Sequence, residues 1–283
     1  MKGIAVDTSI HCHTEYSTLK KVLTVKPTFM KITETINETQ KHYKASNIDT
    51  SIAIQQHDAF INVLNEQNIE VIALPANPKL HEQVFTRDIA FAIQDQLFVG
   101  SMSEQVRKDE TAILKTWLQE NSLTYQEGLP KSIEGGDVMI DGSTIWVGKS
   151  GRTSYESIEY LQSRLPSFNV ESLTLPRDIL HLDCVFNIIS EHTALLYPPA
   201  FIPEDLKKIK SHFDIIPVTK EEQFHMGPNV LPIGNRKVIS LSQNERLNKI
   251  MESKGYRILP VDFSEIIKSG GSFRCCTLPL ERE

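Results

Sequence analysis

A motif recurs along this chain of 283 residues at a nearly constant interval. Each copy ends in an apolar residue followed by proline, at Leu74-Pro75, Leu129-Pro130, Leu175-Pro176, Ile216-Pro217 and Leu259-Pro260. A polar marker residue follows each copy; the markers are Asp88, Asp137, Asp183, Asn229 and Cys275, at steps of 49, 46, 46 and 46 residues. A fixed period of roughly 20 to 50 residues is typical of one supersecondary unit repeated along a chain. The pattern therefore predicts that the five markers occupy equivalent positions.

Each repeat has two β-rich runs around a polar turn, then a helical pattern and a further apolar run. After Asp137, the stretch VMIDGSTIWVG indicates a β-hairpin. Ser154 can cap the helix that follows, and VESLTLP at 170–176 is typical of a strand leading to the next copy. We therefore expect each unit to contain two strands, a helix and a third strand.

Four units are complete within the chain, and its two ends hold parts of another. The N-terminal part has a strand pattern at 20–25, a helical pattern at 54–64 and a strand pattern at 69–74, whereas the last copy runs out after CCTLPLERE. We expect the termini to complete one unit together, which removes a free sheet edge. The prediction is a single α/β domain over residues 1–283, with five units arranged as propeller blades and the markers converging on the axis.

Composition restricts the possible partners and location. The formal charge of -6 and the lack of basic clusters argue against nucleic acid or an anionic membrane surface as a partner. No apolar run approaches the ~18 residues of a membrane span, and the first residues, MKGIAVDTSIHCH, lack a signal-peptide core. Four cysteines without a framework spacing suggest a reducing compartment, so we expect a cytoplasmic protein.

Reactive side chains cluster around the markers. His181 and Asp183 are two residues apart at the predicted start of a strand, so both should face one cavity. Glu134 lies at the equivalent place one unit earlier, and Gly135 and Gly136 remove side chains where a ligand or another backbone must come close. Each residue alone has an ordinary explanation in packing or surface ion pairing. Their coincidence in phase with Asp88 and Cys275 favours a shared site.

The residue types suit a planar cationic substrate. Two carboxylates near a thiol raise its pKa unless a cation lies between them, and a guanidinium with five N–H donors fits that place. Its carbon would then face Cys275, whose thiolate can attack if a neighbouring cation lowers the thiol pKa. Glu134 would keep His181 oriented and protonated, so that His181 can pass a proton to a departing amine.

Four motifs resemble those of a known superfamily. FTRD (85–88), EGGD (134–137), HLD (181–183) and the terminal RCCTLPLERE (274–283) look like the motifs of guanidine-modifying hydrolases and amidinotransferases, which include arginine deiminase and dimethylarginine dimethylaminohydrolase. The resemblance spans nearly the whole chain. It implies a five-bladed pseudo-fivefold α/β propeller, or pentein, with a covalent thiouronium intermediate and without a cofactor or a metal.

The resemblance also implies a role for individual residues. It makes Cys275 the nucleophile, His181 the general acid and base, Glu134 the partner of His181, and Asp88 and Asp183 the guanidinium ligands. In that superfamily two arginines hold the substrate carboxylate, and the matching positions here are Arg107, 19 residues beyond Asp88, and Arg152, 18 residues beyond Glu134. Surface ion pairing is an equally good interpretation of both, especially for Arg107 at the head of a helix expected to be exposed.

The expected substrate is a small guanidino amino acid. The chain lacks room for the helical domain that typical bacterial arginine deiminases insert, and its length matches the dimethylarginine hydrolases. The terminal motif is more similar to the deiminases. We therefore expect hydrolysis of methylated arginine to citrulline and an alkylamine, with arginine deimination or amidino transfer as alternatives and a possible homodimer. A non-catalytic propeller, like the ribosomal anti-association factors, is a remote alternative.

One further stretch has potential metal ligands. His11, Cys12 and His13 are consecutive, but neighbouring ligands on one strand cannot all converge on an ion. We expect residues 11–18 to form a mobile flap over the opening of the ring instead.

Overall fold

The computed structural model describes residues 9–283. The expectation about a signal-peptide core falls in part on residues 1–8, which lie outside the described residues. None of the helices between residues 9 and 283 has both the length and the apolar character needed to cross a membrane.

The described residues form an α/β structure of short elements. The strands are β1 (Leu19–Val25), β2 (Glu70–Leu74), β3 (Ala90–Ile93), β4 (Gln96–Val99), β5 (Val138–Asp141), β6 (Thr144–Lys149), β7 (Asn169–Thr174), β8 (Phe186–Ser190), β9 (Thr193–Leu196), β10 (Asp214–Pro217), β11 (Leu231–Pro232), β12 (Lys237–Leu241), β13 (Arg257–Val261) and β14 (Leu278–Arg282). The α-helices are α1 (Glu38–Tyr43), α2 (Thr50–Glu66), α3 (Glu110–Glu120), α4 (Tyr155–Arg164), α5 (Pro203–His212), α6 (Lys220–Phe224) and α7 (Glu245–Ser253). Single 3-10 turns include Gln105–Arg107, Gly135–Asp137, Leu182–Cys184 and Ile266–Ser269.

The strands form five separate sheets with one recurring pattern. In β5-β6-β7, β8-β9-β10 and β11-β12-β13 the first pair is antiparallel and the second is parallel, with a helix between the second and third strands. The β3-β4 sheet has the same antiparallel pair, and a parallel bridge between Phe98 and Gln126 stands where its third strand would be. The predicted unit of two strands, a helix and a strand is confirmed.

The two ends of the chain build the remaining sheet together. β14 is antiparallel to β1, and β1 is parallel to β2, with α2 between β1 and β2. This order reproduces the pattern of the internal units, with the first strand taken from the C-terminus. The expected pairing of the termini is therefore confirmed.

The helices begin and pack as the sequence pattern indicates. Ser154 caps α4 by accepting a hydrogen bond from the Ser157 backbone N–H at 3.2 Å. α4 then buries Ile158 and Leu161 against its sheet. Trp146 of this unit forms an aromatic cluster with Phe186 and Phe213 of the next, with ring centroids 5.8 to 6.0 Å apart. Burying each such side chain stabilises the fold by about 2 to 3 kcal/mol.

The marker residues lie just before the first strand of their units. Gly135–Asp137 is a single 3-10 turn directly before β5. Leu182–Cys184 is another, which ends shortly before β8. The prediction that His181 and Asp183 start a strand is wrong, because His181 precedes such a turn and Asp183 lies within it. The turn, rather than strand alternation, sets the direction of the two side chains.

Residues 9–18 do not form the expected flap. Backbone N–H groups of His11, Cys12 and Glu15 donate to Leu280, Gln94 and Ile140 carbonyl groups at 2.8, 2.9 and 3.0 Å. These acceptors belong to or flank strands of three different sheets. The prediction of a mobile flap is wrong, because this segment is tied down by backbone hydrogen bonds.

Candidate active site

The predicted catalytic and guanidinium-binding residues come together in one buried cluster. Cys275 Sγ lies 3.6 Å from Asp183 Oδ2. His181 Nε2 lies 2.8 Å from Glu134 Oε2, and His181 Nδ1 lies 3.6 Å from Asp88 Oδ1. All five side chains are at most 2% exposed. Four stretches of chain from four repeats therefore supply one site.

The electrostatic environment keeps His181 protonated at neutral pH. Burial lowers the pKa of His181, but the charge of Asp88 and the hydrogen bond and charge of Glu134 outweigh it and raise the pKa to about 9. Burial likewise raises the pKa of Glu134, yet the hydrogen bond to His181 brings it to about 2. Glu134 Oε1 also accepts from the Ser103 backbone N–H at 2.9 Å, which fixes the carboxylate. The pair is an imidazolium and a carboxylate.

The surroundings of Cys275 favour the protonated form of its thiol. Burial raises its pKa well above the ordinary value, and the negative charges of Asp183 and Asp88 raise it further. Burial also raises the pKa of Asp183, opposed by the nearby guanidinium of Arg274. A cation placed between these carboxylates and the sulfur would reverse the electrostatic part of the shift.

Asn229 is a site residue for which sequence reasoning found no role. Its Nδ2 donates to Cys275 Sγ at 3.1 Å and to the Asp183 carbonyl at 3.2 Å. Its Oδ1 accepts from the backbone N–H groups of Ser272 and Cys275, each at 3.1 Å. The signal was present, because Asn229 is the fourth marker of the repeat. Its amide fixes the loop that carries the thiol.

The two glycines of EGGD allow close approach, as predicted. A Cβ at Gly136 would lie 2.7 Å from Asp88 Oδ1 and 2.8 Å from His181 Nδ1. A Cβ at Gly135 would lie 2.2 Å from the Arg87 carbonyl oxygen. Any side chain at these positions would collide with the backbone or with the candidate catalytic groups.

Arg107 is buried and fully occupied by protein partners. Its Nη1 donates to Asp88 Oδ2 at 2.5 Å, its Nη2 to Glu110 Oε2 at 2.8 Å and to the Phe85 carbonyl at 3.3 Å. It is 3% exposed, so the expected surface position at the head of an exposed helix is wrong. The two carboxylates draw the guanidinium inward, and Arg107 fixes Asp88 with the Oδ1 atom directed at His181.

Arg152 lies at the edge of the same site with part of its guanidinium free. Its Nη2 donates to the Ile36 carbonyl at 2.7 Å, and its Nη1 is 3.5 Å from Glu134 Oε2. Nη1 has no hydrogen-bond partner among the described residues. Arg152 lines both the cavity next to Cys275 and an outer pocket. Of the two predicted carboxylate ligands, only Arg152 has a guanidinium nitrogen without a hydrogen bond among the described residues.

The cavity beside Cys275 is small and covered. Its volume is about 10 Å³, close to the space of a single water molecule. Ile36 and Asn37 cover it, with Asn37 Nδ2 donating to the Ser269 carbonyl at 3.0 Å. A pocket of about 270 Å³ lies on the outer side of the same two residues. Ile36 and Asn37 thus line both the cavity and the outer pocket.

Glu82 is a second buried carboxylate that the motifs did not reveal. It lines the cavity and accepts from Gln40 Nε2 at 2.9 Å and from Ser269 Oγ at 2.9 Å. Burial raises its pKa to about 7, against the opposing charge of Arg107. It adds a carboxyl group to the lining of the cavity.

The possible metal ligands are also at this site. Among residues 9–283, Asp88, Glu134 and His181 have ligand atoms within 4.8 Å of one another. Arg107 pairs with Asp88, and His181 with Glu134, so this donor set is already engaged in charge pairs. The His11–His13 stretch forms no such group within the described range: Cys12 is buried and its Sγ is directed at the Pro279 carbonyl.

Comparisons with characterised and solved proteins agree with the geometry. The chain is 46% identical over 271 residues to the uncharacterized protein YkgA of Bacillus subtilis, covering 96% of this chain and 95% of that protein. It is 26% identical to the N(G),N(G)-dimethylarginine dimethylaminohydrolase of Pseudomonas aeruginosa, covering 81% and 89%. It is 27% identical to an arginine deiminase of Listeria monocytogenes, covering 78% of this chain and 66% of the deiminase.

Solved structures share the fold at lower sequence identity. The N-terminal domain of the cyanobacterial arginine dihydrolase ArgZ matches with a TM-score of 0.84 and 23% identity, covering 93% of this chain and 98% of that domain. The amidinotransferase SxtG of Microseira wollei matches with a TM-score of 0.84 and 17% identity, covering 97% of both chains. The mixed α/β fold is therefore that of the guanidine-modifying superfamily.

A family model is matched by most of the chain. The model is described as N,N dimethylarginine dimethylhydrolase, eukaryotic, and it covers residues 25–282. That range includes every predicted catalytic and substrate-binding residue, and excludes the segment that contains Glu15. The chain belongs to the N,N-dimethylarginine dimethylhydrolase family within the superfamily of guanidine-modifying enzymes.

Proposed function

We propose that this protein hydrolyses the guanidinium group of methylated arginine, giving citrulline and an alkylamine. The observation that carries the proposal is the buried cluster in which the Cys275 thiol, the Asp183 carboxylate, Asp88 and the His181–Glu134 pair meet. A buried thiol beside two carboxylates is poorly suited to packing alone. A guanidinium bound between Asp88 and Asp183 would bring positive charge next to the sulfur.

Binding would place the guanidinium between Asp88 and Asp183. Asp88 Oδ1 has no hydrogen-bond partner among the described residues, so it can accept an N–H of the substrate. Asp183 lies on the sulfur side and can accept from the opposite edge. The bound cation would offset both negative charges and lower the pKa of the Cys275 thiol, so that the nucleophile forms when the substrate arrives.

The chemistry then follows in two halves. The thiolate attacks the guanidinium carbon and forms the C–S bond, and the C–N bond to the methylated nitrogen breaks as His181 donates its proton to the departing amine. The product of this half is a thiouronium on Cys275. Neutral His181 next takes a proton from water, the oxygen adds to the same carbon, and the C–S bond breaks to release citrulline and the thiol.

Asn229 would act on the nucleophile itself. Its Nδ2 donor at 3.1 Å from Cys275 Sγ can stabilise the thiolate, which offsets part of the effect of burial. We propose it as a catalytic residue, because it touches the reacting sulfur atom.

The amino-acid end of the substrate would lie towards the outer pocket. We propose that Arg152 binds the substrate carboxylate, since its side chain lines both the cavity and the outer pocket and its Nη1 makes no hydrogen bond among the described residues. We propose that Arg107, the other predicted carboxylate ligand, instead holds Asp88 in position, because its guanidinium is engaged with Asp88 and Glu110. Glu82 is placed to accept the α-ammonium group.

The match to the dimethylarginine family and the lining of the cavity favour a methylated substrate. Phe85, Ile36 and Leu180 give the cavity an apolar wall that can contact N-methyl groups. Arginine itself is the second candidate, because relatives in Listeria are arginine deiminases at 27 to 28% identity. Transfer of the amidino group to an amine is the third, since the intermediate is the same and the fold is shared with SxtG.

The architecture we propose is a single domain over residues 1–283, a five-bladed pentein propeller. The five sheets, the recurring strand order and the pairing of the termini support this arrangement. We also propose a cytoplasmic location, supported by four free cysteines among the described residues.

The direct test is product analysis with a substrate panel. Purified protein is incubated with arginine, monomethylarginine, both dimethylarginines and agmatine, and citrulline and amines are quantified. We expect citrulline and an alkylamine from the methylated arginines and no product from Cys275→Ser. Citrulline formation by Cys275→Ser would remove the nucleophile, and inertness of the wild-type protein towards the whole panel would remove the function.

A further inference from the structure

A second charged cluster lies directly behind the candidate site. Arg87, Arg274 and Arg282 are each at most 3% exposed, and the Glu15 carboxylate, 4% exposed, lies among them. Arg274 Nη1 donates to Glu15 Oε2, and Arg87 Nη1 is 3.7 Å from the same oxygen. Three buried guanidinium groups thus surround one carboxylate from the N-terminal segment. The charges exert strong effects on one another in this low-dielectric setting.

Arg274 connects this cluster to the nucleophile. Its Nη1 and Nη2 donate to Glu15 and to the Val138 carbonyl, the latter at 3.0 Å. Its Nε lies 3.4 Å from Asp183 Oδ2 but makes no hydrogen bond within the described residues. Arg274 therefore gives its hydrogen bonds to Glu15 and to the backbone, and it faces Asp183 at ion-pair distance through Nε without donating a hydrogen bond to it.

Glu15 is itself held firmly in the ionised form. Its Oε1 accepts from the Ile140 backbone N–H at 3.2 Å. Burial raises the pKa of Glu15, but the charges of Arg274 and Arg87 outweigh it and lower the pKa to about 2. Burial lowers the pKa of Arg87 to about 10, and repulsion by the neighbouring Arg274 guanidinium adds to that effect. The negative charge of Glu15 is what offsets that repulsion.

We propose that Glu15 is a positioning residue that holds the Nη groups of Arg274 away from Asp183, and so leaves the hydrogen-bonding capacity of the Asp183 carboxylate for the substrate guanidinium. This rests on the proposed function, because Asp183 must accept a substrate guanidinium. An unrestrained Arg274 would offer Asp183 the same fork of N–H donors as the substrate does. Arg274 would then compete as an internal ligand.

The proposal predicts that removing the charge of Glu15 weakens substrate binding but makes the Cys275 thiol more reactive. In Glu15→Gln the side chain keeps its shape and its hydrogen-bond acceptor but loses its charge, so Arg274 moves towards Asp183. We expect KM for guanidine substrates to rise about tenfold, with a smaller change in kcat. The added positive charge near the sulfur should lower the pKa of Cys275, so alkylation at neutral pH becomes about tenfold faster.

The experiment measures alkylation of Cys275 by iodoacetamide as a function of pH, together with KM and kcat, in wild type, Glu15→Gln and Glu15→Asp. Thermal unfolding checks that each variant is folded. Glu281→Gln is the matched control, because Glu281 lies near Lys21 in the terminal sheet rather than beside Arg274. The ionisable groups that face the thiol are Asp183, Asp88, Cys184 and Cys276, with Arg274 behind Asp183.

A suppressor variant separates charge from loosening of the structure. In Glu15→Gln/Arg274→Gln the competing guanidinium is gone, so the alkylation rate should return towards that of wild type. A site that was merely loosened would keep the fast alkylation. Unchanged alkylation in Glu15→Gln, or fast alkylation that persists in the double variant, would overturn the inference.

The thiol measurement needs no turnover. If the wild-type protein hydrolysed no guanidine, the proposed function would fail, whereas the effect of Glu15 on Arg274 would still be decided by the alkylation rates. Fast alkylation in Glu15→Gln that the second substitution reverses supports the positioning role in either case.

Discussion

The central residue is a histidine held between two carboxylates. Glu134 lies 2.8 Å from one ring nitrogen of His181, and Asp88 lies 3.6 Å from the other. All three side chains are buried. The pKa of His181 is raised to about 9 because these charges outweigh burial. An imidazolium at neutral pH suits the donation of a proton to a departing amine, and the neutral form after donation suits the activation of water.

Replacement of Glu134 tests this arrangement. Glu134→Gln removes a charge but keeps a hydrogen-bonding group, so the pKa of His181 should fall and the decline of kcat at high pH should move to lower pH. Loss of general-acid catalysis at neutral pH should cost about 10²- to 10⁴-fold in rate. The measurement is the pH profile of kcat, with Glu127→Gln on the surface as the control. A profile that keeps its high-pH limb in place would contradict the assignment.

The two arginines should respond differently to loss of the substrate carboxylate. Arg152→Ala should raise KM for an amino-acid substrate about tenfold or more, and change KM for agmatine little, because agmatine has no carboxylate. Arg107→Ala should impair both substrates alike, because Arg107 is bound to Asp88 and Glu110. Kinetics of the two variants on both substrates decide the matter; equal effects of Arg152→Ala on the two substrates would exclude a carboxylate contact.

At the scale of elements, single 3-10 turns position the site. Two of them precede β5 and β8, and they direct Glu134 and His181 towards each other from neighbouring units. Gly136 allows this approach, since the distance from its Cβ position to His181 Nδ1 is 2.8 Å. The 3-10 turn at Gly135–Asp137 and the close approach of His181 to Gly136 therefore belong to the same local structure.

A methyl group at Gly136 should therefore be damaging. Gly136→Ala should destabilise the fold by about 1 to 3 kcal/mol through overpacking and should abolish most activity by displacing His181 or Asp88. Gly151→Ala is the matched control, because a Cβ there meets nothing within 4 Å. Urea unfolding and activity assays on both variants make the comparison. Similar behaviour of the two variants would show that close packing at Gly136 is unimportant.

The elements and the cluster were largely predictable, because period and phase are properties of the sequence. The sequence placed Asp88, Glu134, His181 and Cys275 at equivalent points of the repeat, and they meet in the structure. Helix caps such as Ser154 could also be predicted from the local sequence.

What failed depended on contacts between distant stretches. The burial of Arg107 depends on Asp88, 19 residues away in the chain, and the order of residues 9–18 depends on partners at Gln94, Ile140 and Leu280. Asn229 carried the repeat signal, but its bond to Cys275 spans 46 residues and leaves no local pattern. Side-chain partners of this kind become visible only when the units are assembled.

At the scale of the whole molecule, the buried charges link stability to pH. The pKa of His181 is raised from 6.5 to about 9. Its contribution to the free energy of unfolding is thus fully present below pH 6.5 and is lost as pH rises through about 9. The upper estimate of this contribution is about 3 kcal/mol.

Unfolding in urea at a series of pH values measures this link. Between pH 6.5 and 9 the free energy of unfolding should fall more in wild type than in His181→Gln, which has no proton to lose at this position. Titrating groups that do not contact His181 contribute equally to both proteins. Parallel curves would mean that His181 is not a protonated buried group.

The central claim is that a buried sulfur reacts with the carbon of a guanidinium. Mass spectrometry measures this most directly, after the protein has been mixed with a methylated arginine and rapidly quenched in acid. In the intermediate, the amidine carbon of the substrate, still attached to the amino acid, is bonded to one residue and increases the mass of the peptide that contains it. The account predicts a transient adduct on the peptide that contains Cys275, longer lived in His181→Gln if hydrolysis follows its formation, and absent in Cys275→Ser. Turnover of the same substrate without any adduct on that peptide, or an adduct on another cysteine, would contradict it.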